Sequence, residues 1–190
     1  KESDEVLIKN QELKEKLLIL GGGSNVLFTK NPDAWVLKSD IKGINKIDEN
    51  IDFVWIEAFA GEEWHQFVMH TLKKGWFGLE NLALIPGSIG ASPIQNIGAY
   101  GVEVKELIDK VYAVDLESGN KIDFSNEDCR FGYRNSIFKQ DLKGKVFIYK
   151  VVFKLKKSSK VNVSYRALKD ELSNEQIINP TPVDIANAVI

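Results

Sequence analysis

Residues 78–101 have the sequence GLENLALIPGSIGASPIQNIGAYG, which follows neither the period of a helix nor that of a strand. Glycines such as Gly87 and Gly90 remove side chains where the backbone must approach another group closely, and Pro86 and Pro93 stiffen the turns between them. A stretch of this kind either binds a ligand or fills space beneath a sheet. Its polar side chains offer the donors and acceptors that a flat heterocycle with a phosphate tail requires, and they are Ser88, Ser92, Gln95 and Asn96.

A second glycine-rich stretch lies earlier, at residues 17–28, with the sequence LLILGGGSNVLF. It predicts an apolar strand, a turn at residues 21–25 and a second strand that begins at Val26. Backbone N–H groups freed from side chains form a concavity that binds anions, and the side chains of Ser24 and Asn25 add donors. We therefore predict a pyrophosphate-binding turn, to which a tight turn between two buried strands is the alternative. No Gly-Lys-Ser/Thr follows, and the continuing strand does not fit the dinucleotide fingerprint, which requires a helix.

Length and composition limit the classes of function. A chain of 190 residues with 44% hydrophobic content can bury a core as one domain or two small ones. The net charge of -2, without a basic cluster, argues against nucleic acid as the main partner, and the apolar runs are too short to span a membrane. The single cysteine, Cys129, excludes an internal disulfide and favours a cytoplasmic protein. We expect Cys129 to pack as a small apolar side chain.

The order of predicted elements indicates an α+β fold. Apolar alternation predicts strands at residues 34–38, 51–60, 111–115, 121–124 and 146–155, with a hairpin turn at residues 118–120. Helical spacing predicts a helix at residues 61–74, on which both histidines, His65 and His70, lie. Neither histidine has a partner at metal-ligand spacing, so we predict ordinary packing or surface roles and no metal site.

Both ends of the sequence are expected to belong to a longer protein. Ser3 predicts a helix cap close to the first residue, and Thr181-Pro182 predicts the start of a helix that has little more than two turns. Residues 154–160, KLKKSSK, have the composition of an exposed linker. We therefore expect a boundary near residue 157.

A third stretch, residues 129–139 with the sequence CRFGYRNSIFK, places an arginine, Arg134, among aromatic side chains. An arginine in this setting keeps its charge and presents a planar fork that suits a carboxylate. A structural cation stacked on a ring is the alternative.

Together these three stretches resemble the UDP-N-acetylenolpyruvoylglucosamine reductases, the flavoenzymes of peptidoglycan precursor synthesis. The resemblance spans residues 20 to 139 and includes the segments between the motifs. It implies the FAD-binding fold of the p-cresol methylhydroxylase type, with two subdomains that clasp the flavin. The implied division is a small subdomain at residues 1–43, a second with an antiparallel sheet at residues 44–157, and a linker with the start of a truncated substrate-binding domain at residues 158–190.

The resemblance also implies a reaction and a set of site residues. NADPH would reduce bound FAD, which would pass hydride to the enolpyruvyl group of UDP-N-acetylglucosamine enolpyruvate and give UDP-N-acetylmuramate. Arg134 matches the catalytic arginine of the family, and Tyr133 and Tyr165 are expected to bind the UDP-sugar. The FAD-binding residues would be Gly21, Gly22, Gly23, Ser24, Asn25, Pro86, Gly87, Ser88, Gly90, Ala91, Ser92, Gln95, Asn96, Ile97, Gly98, Ala99 and Tyr100.

The family's proton-donating serine and its second acid would lie beyond Ile190, so we expect this chain alone to be inactive. Two other interpretations remain: a sugar or alcohol oxidase of the same fold, or a non-catalytic FAD-binding module. Many such oxidases attach FAD through a histidine near a glycine loop, whereas His65 and His70 lie on the predicted helix. That placement counts against an oxidase.

Overall fold

The computed structural model describes residues 17–190. Over this range it is an α+β structure with strands, three α-helices and several single-turn 3-10 helices. The strands are β1 (Leu17–Leu20), β2 (Trp35–Lys38), β3 (Ile44–Glu49), β4 (Phe53–Phe59), β5 (Gly98–Ala99), β6 (Val102–Glu103), β7 (Ile108–Asp115), β8 (Lys121–Ser125) and β9 (Val146–Lys156). The helices are α1 (Trp64–Lys73), α2 (Arg166–Asn174) and α3 (Pro182–Val189), and the 3-10 turns are Glu80–Leu82, Ile89–Ala91, Val104–Glu106 and Ile137–Lys139.

The main sheet has five antiparallel strands in the order β3-β4-β9-β7-β8. Alternate residues of the central strands face the core, because successive side chains of a strand point to opposite faces. Val54 and Ile56 of β4 are fully buried, whereas the alternating residues Trp55 and Glu57 lie on the outer face. One side of this sheet therefore supplies the core of the molecule.

Helix α1 covers the inner face of the sheet. Its Trp64 and Phe67 pack against Phe153 of β9, with ring centroids 6.0 and 4.9 Å away respectively. The indole Nε1 of Trp64 also donates a hydrogen bond of 2.7 Å to the carbonyl of Leu82. This bond attaches the beginning of the stretch at residues 78–101, called the long loop below, to the core.

Strands β1 and β2 form a separate two-stranded parallel sheet. It joins the main body at Gly61, whose N–H donates to the carbonyl of Ile41 at 3.0 Å. A Cβ on Gly61 would lie 2.8 Å from the backbone nitrogen of Ile41, so this junction requires glycine. The carboxylate of Glu62 accepts a hydrogen bond of 2.7 Å from the N–H of Gly43 at the same junction.

Helix α3 begins as the sequence predicts. The hydroxyl of Thr181 accepts from the N–H of Asp184, whose carboxylate accepts in return from the Thr181 N–H, and Pro182 occupies the first turn. Ile185 and Ala186 are fully buried, and α3 packs against the 3-10 turn Glu80–Leu82.

Most of the predicted elements are confirmed, with ends within a few residues. β2, β4, β7, β8, β9 and α1 lie where the apolar pattern predicts them, and Gly119 turns the β7–β8 hairpin with φ of +77°. Strand β3 and helix α2 are missing from the sequence prediction. The helix predicted at Ser3 lies outside the described residues.

The strand predicted at residues 26–28 is wrong. The N–H of Val26 bonds back to the carbonyl of Gly23, so the chain turns instead of continuing. Among residues 17–190 this segment pairs with no strand, and the side chain of Leu27 is 87% exposed. Apolar residues alone do not make a strand without a partner for its backbone.

Part of the predicted linker at residues 154–160 also belongs to the sheet. β9 continues to Lys156, and the Lys154 ammonium lies over the rings of Phe53 and Trp55, 4.5 and 5.2 Å from their centroids. The chain leaves regular structure only after β9. The boundary near residue 157 stays a prediction.

Cys129 is buried in the core, as expected for a single cysteine that packs as a small apolar side chain. Burial raises the pKa of its thiol to about 12, and the neighbouring Asp128 carboxylate adds to the shift. In an unfolded chain the thiol ionises near pH 9.0, so it contributes stability that is lost as the pH rises above that value.

We predict that Cys129 does not react with a thiol reagent in the folded chain at pH 8. Only thiolate reacts, so modification should be at least about a hundredfold slower than in urea-unfolded chain. Labelling with a chromogenic disulfide at both conditions measures this ratio. Equal rates would show that the thiol is exposed.

Candidate functional site

The two glycine-rich stretches meet in the folded chain. A Cβ built on Gly21 would lie 3.0 Å from the hydroxyl of Ser88, and one on Gly22 would lie 3.3 Å from the Cα of Gly87. Side chains at either glycine would therefore separate the turn at residues 21–25 from the long loop. The structure brings together two segments that lie more than sixty residues apart in sequence.

Backbone conformation at this contact depends on glycine. Gly87 has φ of +130° and Gly23 has φ of +77°, a region that residues with a side chain rarely adopt. Gly90, in the next turn, packs so closely that a Cβ would lie 2.7 Å from the Cβ of Ala60. The long loop is thus fixed on the body of the protein while its glycines face the first turn.

A cleft of about 380 Å³ continues from this contact. Strand β1 and residues at the start of β9, such as Ile148, line it. Gly21 and Ser88 are also in the lining, which is largely apolar. The hydroxyl of Ser39, also in the lining, is buried without a hydrogen-bond partner. An unpartnered buried hydroxyl is costly unless a ligand supplies the missing bond.

The loop that carries Arg134 is fastened to the long loop by side chains. The amide of Asn96 donates to the carbonyl of Gly132 at 2.9 Å, and the hydroxyl of Ser136 donates to the carbonyl of Ile94 at 2.6 Å. Arg134 itself donates from Nη2 to the carbonyl of Gly98 at 2.6 Å. Three bonds therefore hold the arginine at the end of the glycine loop.

The backbone of Arg134 adopts a left-handed conformation, and its guanidinium lies at the surface. Its φ is +51°, which is uncommon for a residue with a long side chain, and Lys139 Nζ donates to its carbonyl at 2.9 Å. The guanidinium lies 6.0 Å from the ring centroid of Tyr133, which is 85% exposed. The remaining donors of the guanidinium fork are on the surface, where an anion can reach them.

The carboxylate of Glu103 adds negative charge beside this arginine. Its pKa lies below the usual value, chiefly because Lys105 Nζ, 2.6 Å away, stabilises the ionised form. The Asn96 amide and the field of Arg134 lower it further. Lys105 therefore forms the ion pair with Glu103, and Arg134 lies close enough to lower the pKa of the same carboxyl.

Tyr165 lies across the same end of the loop. Its ring meets that of Tyr100 edge to face, with centroids 5.3 Å apart, and its side chain is 49% exposed. Tyr100 has φ of +48°, and Gly101 follows with φ of +79°. The ring of Tyr165 therefore rests against a tight left-handed turn at Tyr100 and Gly101, which ends the stretch at residues 78–101.

Three residues predicted to contact FAD are buried. The Ser92 hydroxyl donates to the carbonyl of Ile89 at 2.8 Å, and Ile97 is part of the core. The Asn96 amide is used by Gly132 and by the N–H of Lys105. Their side chains stabilise the loop, and a role of their backbone toward a ligand stays a prediction.

The histidines have packing roles. His65 Nδ1 accepts from the N–H of Leu84 at 3.1 Å, and the ring of His70 packs against Trp76. Burial lowers the pKa of His70. Within residues 17–190 no group of three or more metal-ligating side chains is arranged to hold an ion.

Comparison with known families shows to which family the chain belongs. The model of the FAD binding domain matches residues 4–125, which include both glycine stretches. The chain belongs to the FAD binding domain family. The fold expected from the sequence, an α+β FAD-binding fold, is thereby confirmed.

Curated relatives of this FAD-binding domain are named as reductases. It is 47% identical over 184 residues to the UDP-N-acetylenolpyruvoylglucosamine reductase of Flavobacterium johnsoniae, covering 96% of this chain and 55% of that protein. It is 51% identical over 152 residues to the reductase of Neisseria gonorrhoeae, covering 80% and 44%. The chain spans about half the length of these relatives. The resemblance inferred from its motifs is confirmed.

A solved structure shows the same fold. The UDP-N-acetylenolpyruvylglucosamine reductase of Thermus caldophilus superposes with a TM-score of 0.58 and 24% identity, covering 90% of this chain and 61% of that one. In the described part of the FAD-binding domain no helix is long and apolar enough to cross a membrane.

The residues of this FAD-binding domain fit the cofactor. The turn at residues 21–25 and Gly87 bring side-chain-free backbone together, as a pyrophosphate requires. The adjoining cleft has the apolar walls and the orphan hydroxyl of Ser39 that a heterocycle with polar edges would satisfy. Sequence reasoning did not find Ser39, because an isolated serine at the end of a strand carries no signal.

We predict that Gly22→Ala lowers the affinity of the chain for FAD at least about fivefold, because the new methyl group pushes Gly87 away and covers backbone donors. Calorimetric titration with FAD measures it. Gly132→Ala is the matched control, since a Cβ there meets only the Cβ of Asn135 at 3.7 Å. An unchanged affinity in Gly22→Ala would show that FAD does not use this contact.

Proposed function

We propose that this chain is the flavin-binding part of a UDP-N-acetylenolpyruvoylglucosamine reductase. The full-length protein would use NADPH to reduce the enolpyruvyl group of UDP-N-acetylglucosamine enolpyruvate, in the cytoplasm, during peptidoglycan precursor synthesis. The observation that carries this proposal is the position of Arg134, whose guanidinium is bonded to Gly98 at the end of the glycine loop. The names of the relatives supply the substrate class.

Arg134 would hold the substrate carboxylate. When a hydride adds to an enol ether next to a carboxylate, negative charge grows on that carboxylate, and a fixed cation lowers the barrier. The guanidinium is oriented in advance by the Gly98 carbonyl, and the Tyr133 ring lies beside it. Bound FAD would supply the hydride, after taking electrons from NADPH. Arg134 would therefore place its positive charge beside the carboxylate on which negative charge develops.

Tyr133 and Tyr165 would bind the rest of the UDP-sugar. Both rings are exposed at the same end of the loop as Arg134, and neither is needed to fill the core. Aromatic rings with a hydroxyl present both an apolar face and a polar tip to a ligand. We propose the same division of labour along the chain: residues 1–43 and 44–157 clasp the flavin, and residues 158–190 lead toward the substrate-binding part.

We predict that Arg134→Ala in the full-length protein lowers kcat for the UDP-sugar by about 10²–10³-fold, since one lost charge-stabilising donor costs about 3–4 kcal/mol. Binding of FAD should stay unchanged. A stopped-flow assay that follows flavin reoxidation by the substrate separates this step from reduction by NADPH. Comparable loss in the NADPH half-reaction would contradict the assignment.

Arg130→Ala is the matched control in the same loop. Arg130 also has a positive φ of 45°, but its guanidinium is exposed and pairs with Asp141 at 2.7 Å. Its loss should change kcat less than about threefold.

We also expect the isolated 190-residue chain to bind FAD but not to turn over substrate, because no proton donor is assigned within it. NADPH-dependent reduction of the UDP-sugar by this chain alone would overturn that part of the proposal. A full-length protein that binds FAD without reducing the UDP-sugar would favour a non-catalytic module.

A further inference from the structure

We infer that Asn81 and Asn162 form a clamp that positions Tyr165 against the end of the long loop, and that both are positioning residues for binding of the UDP-sugar. This inference rests on the proposed function. Asn81 lies in the stretch at residues 78–101 but is not among the predicted site residues, and Asn162 lies outside all three stretches. Both are singled out by the bonds that their amide groups make.

Asn81 joins two segments that are distant in sequence. Its Nδ2 donates to the carbonyl of Tyr100 at 3.1 Å and to the carbonyl of Asn162 at 2.9 Å. Its side chain is 1% exposed, so no water replaces these bonds. Both N–H groups of one amide thereby hold the end of the long loop against the chain after β9.

Asn162 completes the clamp from the other side. Its Nδ2 donates to the carbonyl of Gly101 at 3.2 Å, while its Oδ1 accepts from the N–H and the hydroxyl of Ser164. A Cβ on Gly101 would lie 3.0 Å from the Ser164 hydroxyl, so the two segments are in direct contact. Tyr165 follows Ser164 at once, and its ring rests on that of Tyr100.

The clamp and the arginine share one strip of backbone. Arg134 is bonded to Gly98, and the clamp holds Tyr100 and Gly101, only two and three residues further on. Tyr100 keeps a positive φ, which costs free energy unless neighbouring groups hold it. Releasing the clamp would therefore let the turn relax and move Tyr165, while the contact between Gly22 and Gly87 would stay intact.

The test compares Asn81→Ala with Asn126→Ala. Asn126 is a matched control, because its Nδ2 also bridges two backbone carbonyls, those of Lys105 and Ile108, both at 2.7 Å. In the full-length protein we expect Asn81→Ala to raise KM for the UDP-sugar at least about tenfold, with FAD affinity within about twofold. Asn126→Ala should leave KM unchanged. Equal effects of the two variants on KM would overturn the inference.

A double-mutant cycle shows whether Asn81 acts through Tyr165. In a Tyr165→Ala background, Asn81→Ala should raise KM by less than about twofold more, since the group that it positions is already absent. Independent, multiplying effects of the two substitutions would contradict a positioning role.

Hydrogen exchange tests whether the clamp exists, and it does not depend on enzyme activity. In the isolated chain, Asn81→Ala should speed exchange of the Ser164 amide, whereas Asn126→Ala should not. Unchanged exchange at Ser164 would refute the clamp even in an active enzyme. Faster exchange in a full-length protein that does not reduce the UDP-sugar would confirm the clamp and reject only the proposed function, so the two failures are distinguishable.

Discussion

The close approach of two glycine-rich turns is the contact on which the rest of this site depends. A Cβ on Gly22 would lie 3.3 Å from the Cα of Gly87, so a methyl group there would push the two backbones apart. That contact needs two rigid supports. Gly90 sits directly on Ala60 and fixes the long loop, while Gly61 sits on the backbone of residues 40 and 41 and fixes the small sheet. Gly61 and Gly90 are required because a Cβ would collide with a neighbour, and Gly87 is favoured because its φ of +130° suits a residue without a side chain.

The long loop connects the groups at the end of the site where Arg134 and Tyr165 lie. Its backbone carbonyls accept hydrogen bonds from the arginine loop, and the last of them accept from the asparagine clamp. Because these bonds go to the main chain, they depend on the path of the loop and only weakly on its side chains. Arg134 and Tyr165 therefore inherit their positions from the same few peptide groups, although they lie thirty-one residues apart in sequence.

The sequence predicts elements that bury an alternating or helical set of apolar side chains. It does not predict elements whose structure depends on pairing with segments that are distant in sequence. Strand β9 and helix α1 were predicted because their apolar periods are clear, and the Thr181 cap because its hydrogen bonds are local. Strand β3 is a polar edge strand, stabilised by pairing with β4, so its pattern carries little signal. Residues 26–28 are apolar but turn away from the sheet. Asn81 lies in the stretch at residues 78–101, but its partner Asn162 is 81 residues away, so nothing local marks its role.

Titration of the 190-residue chain with FAD, followed by quenching of flavin fluorescence, shows whether the turn at residues 21–25 and the long loop together form a cofactor site within this chain. We expect saturable binding of one FAD per chain. A folded chain that does not bind FAD would contradict it, because the site would then require parts of the protein that this chain does not contain.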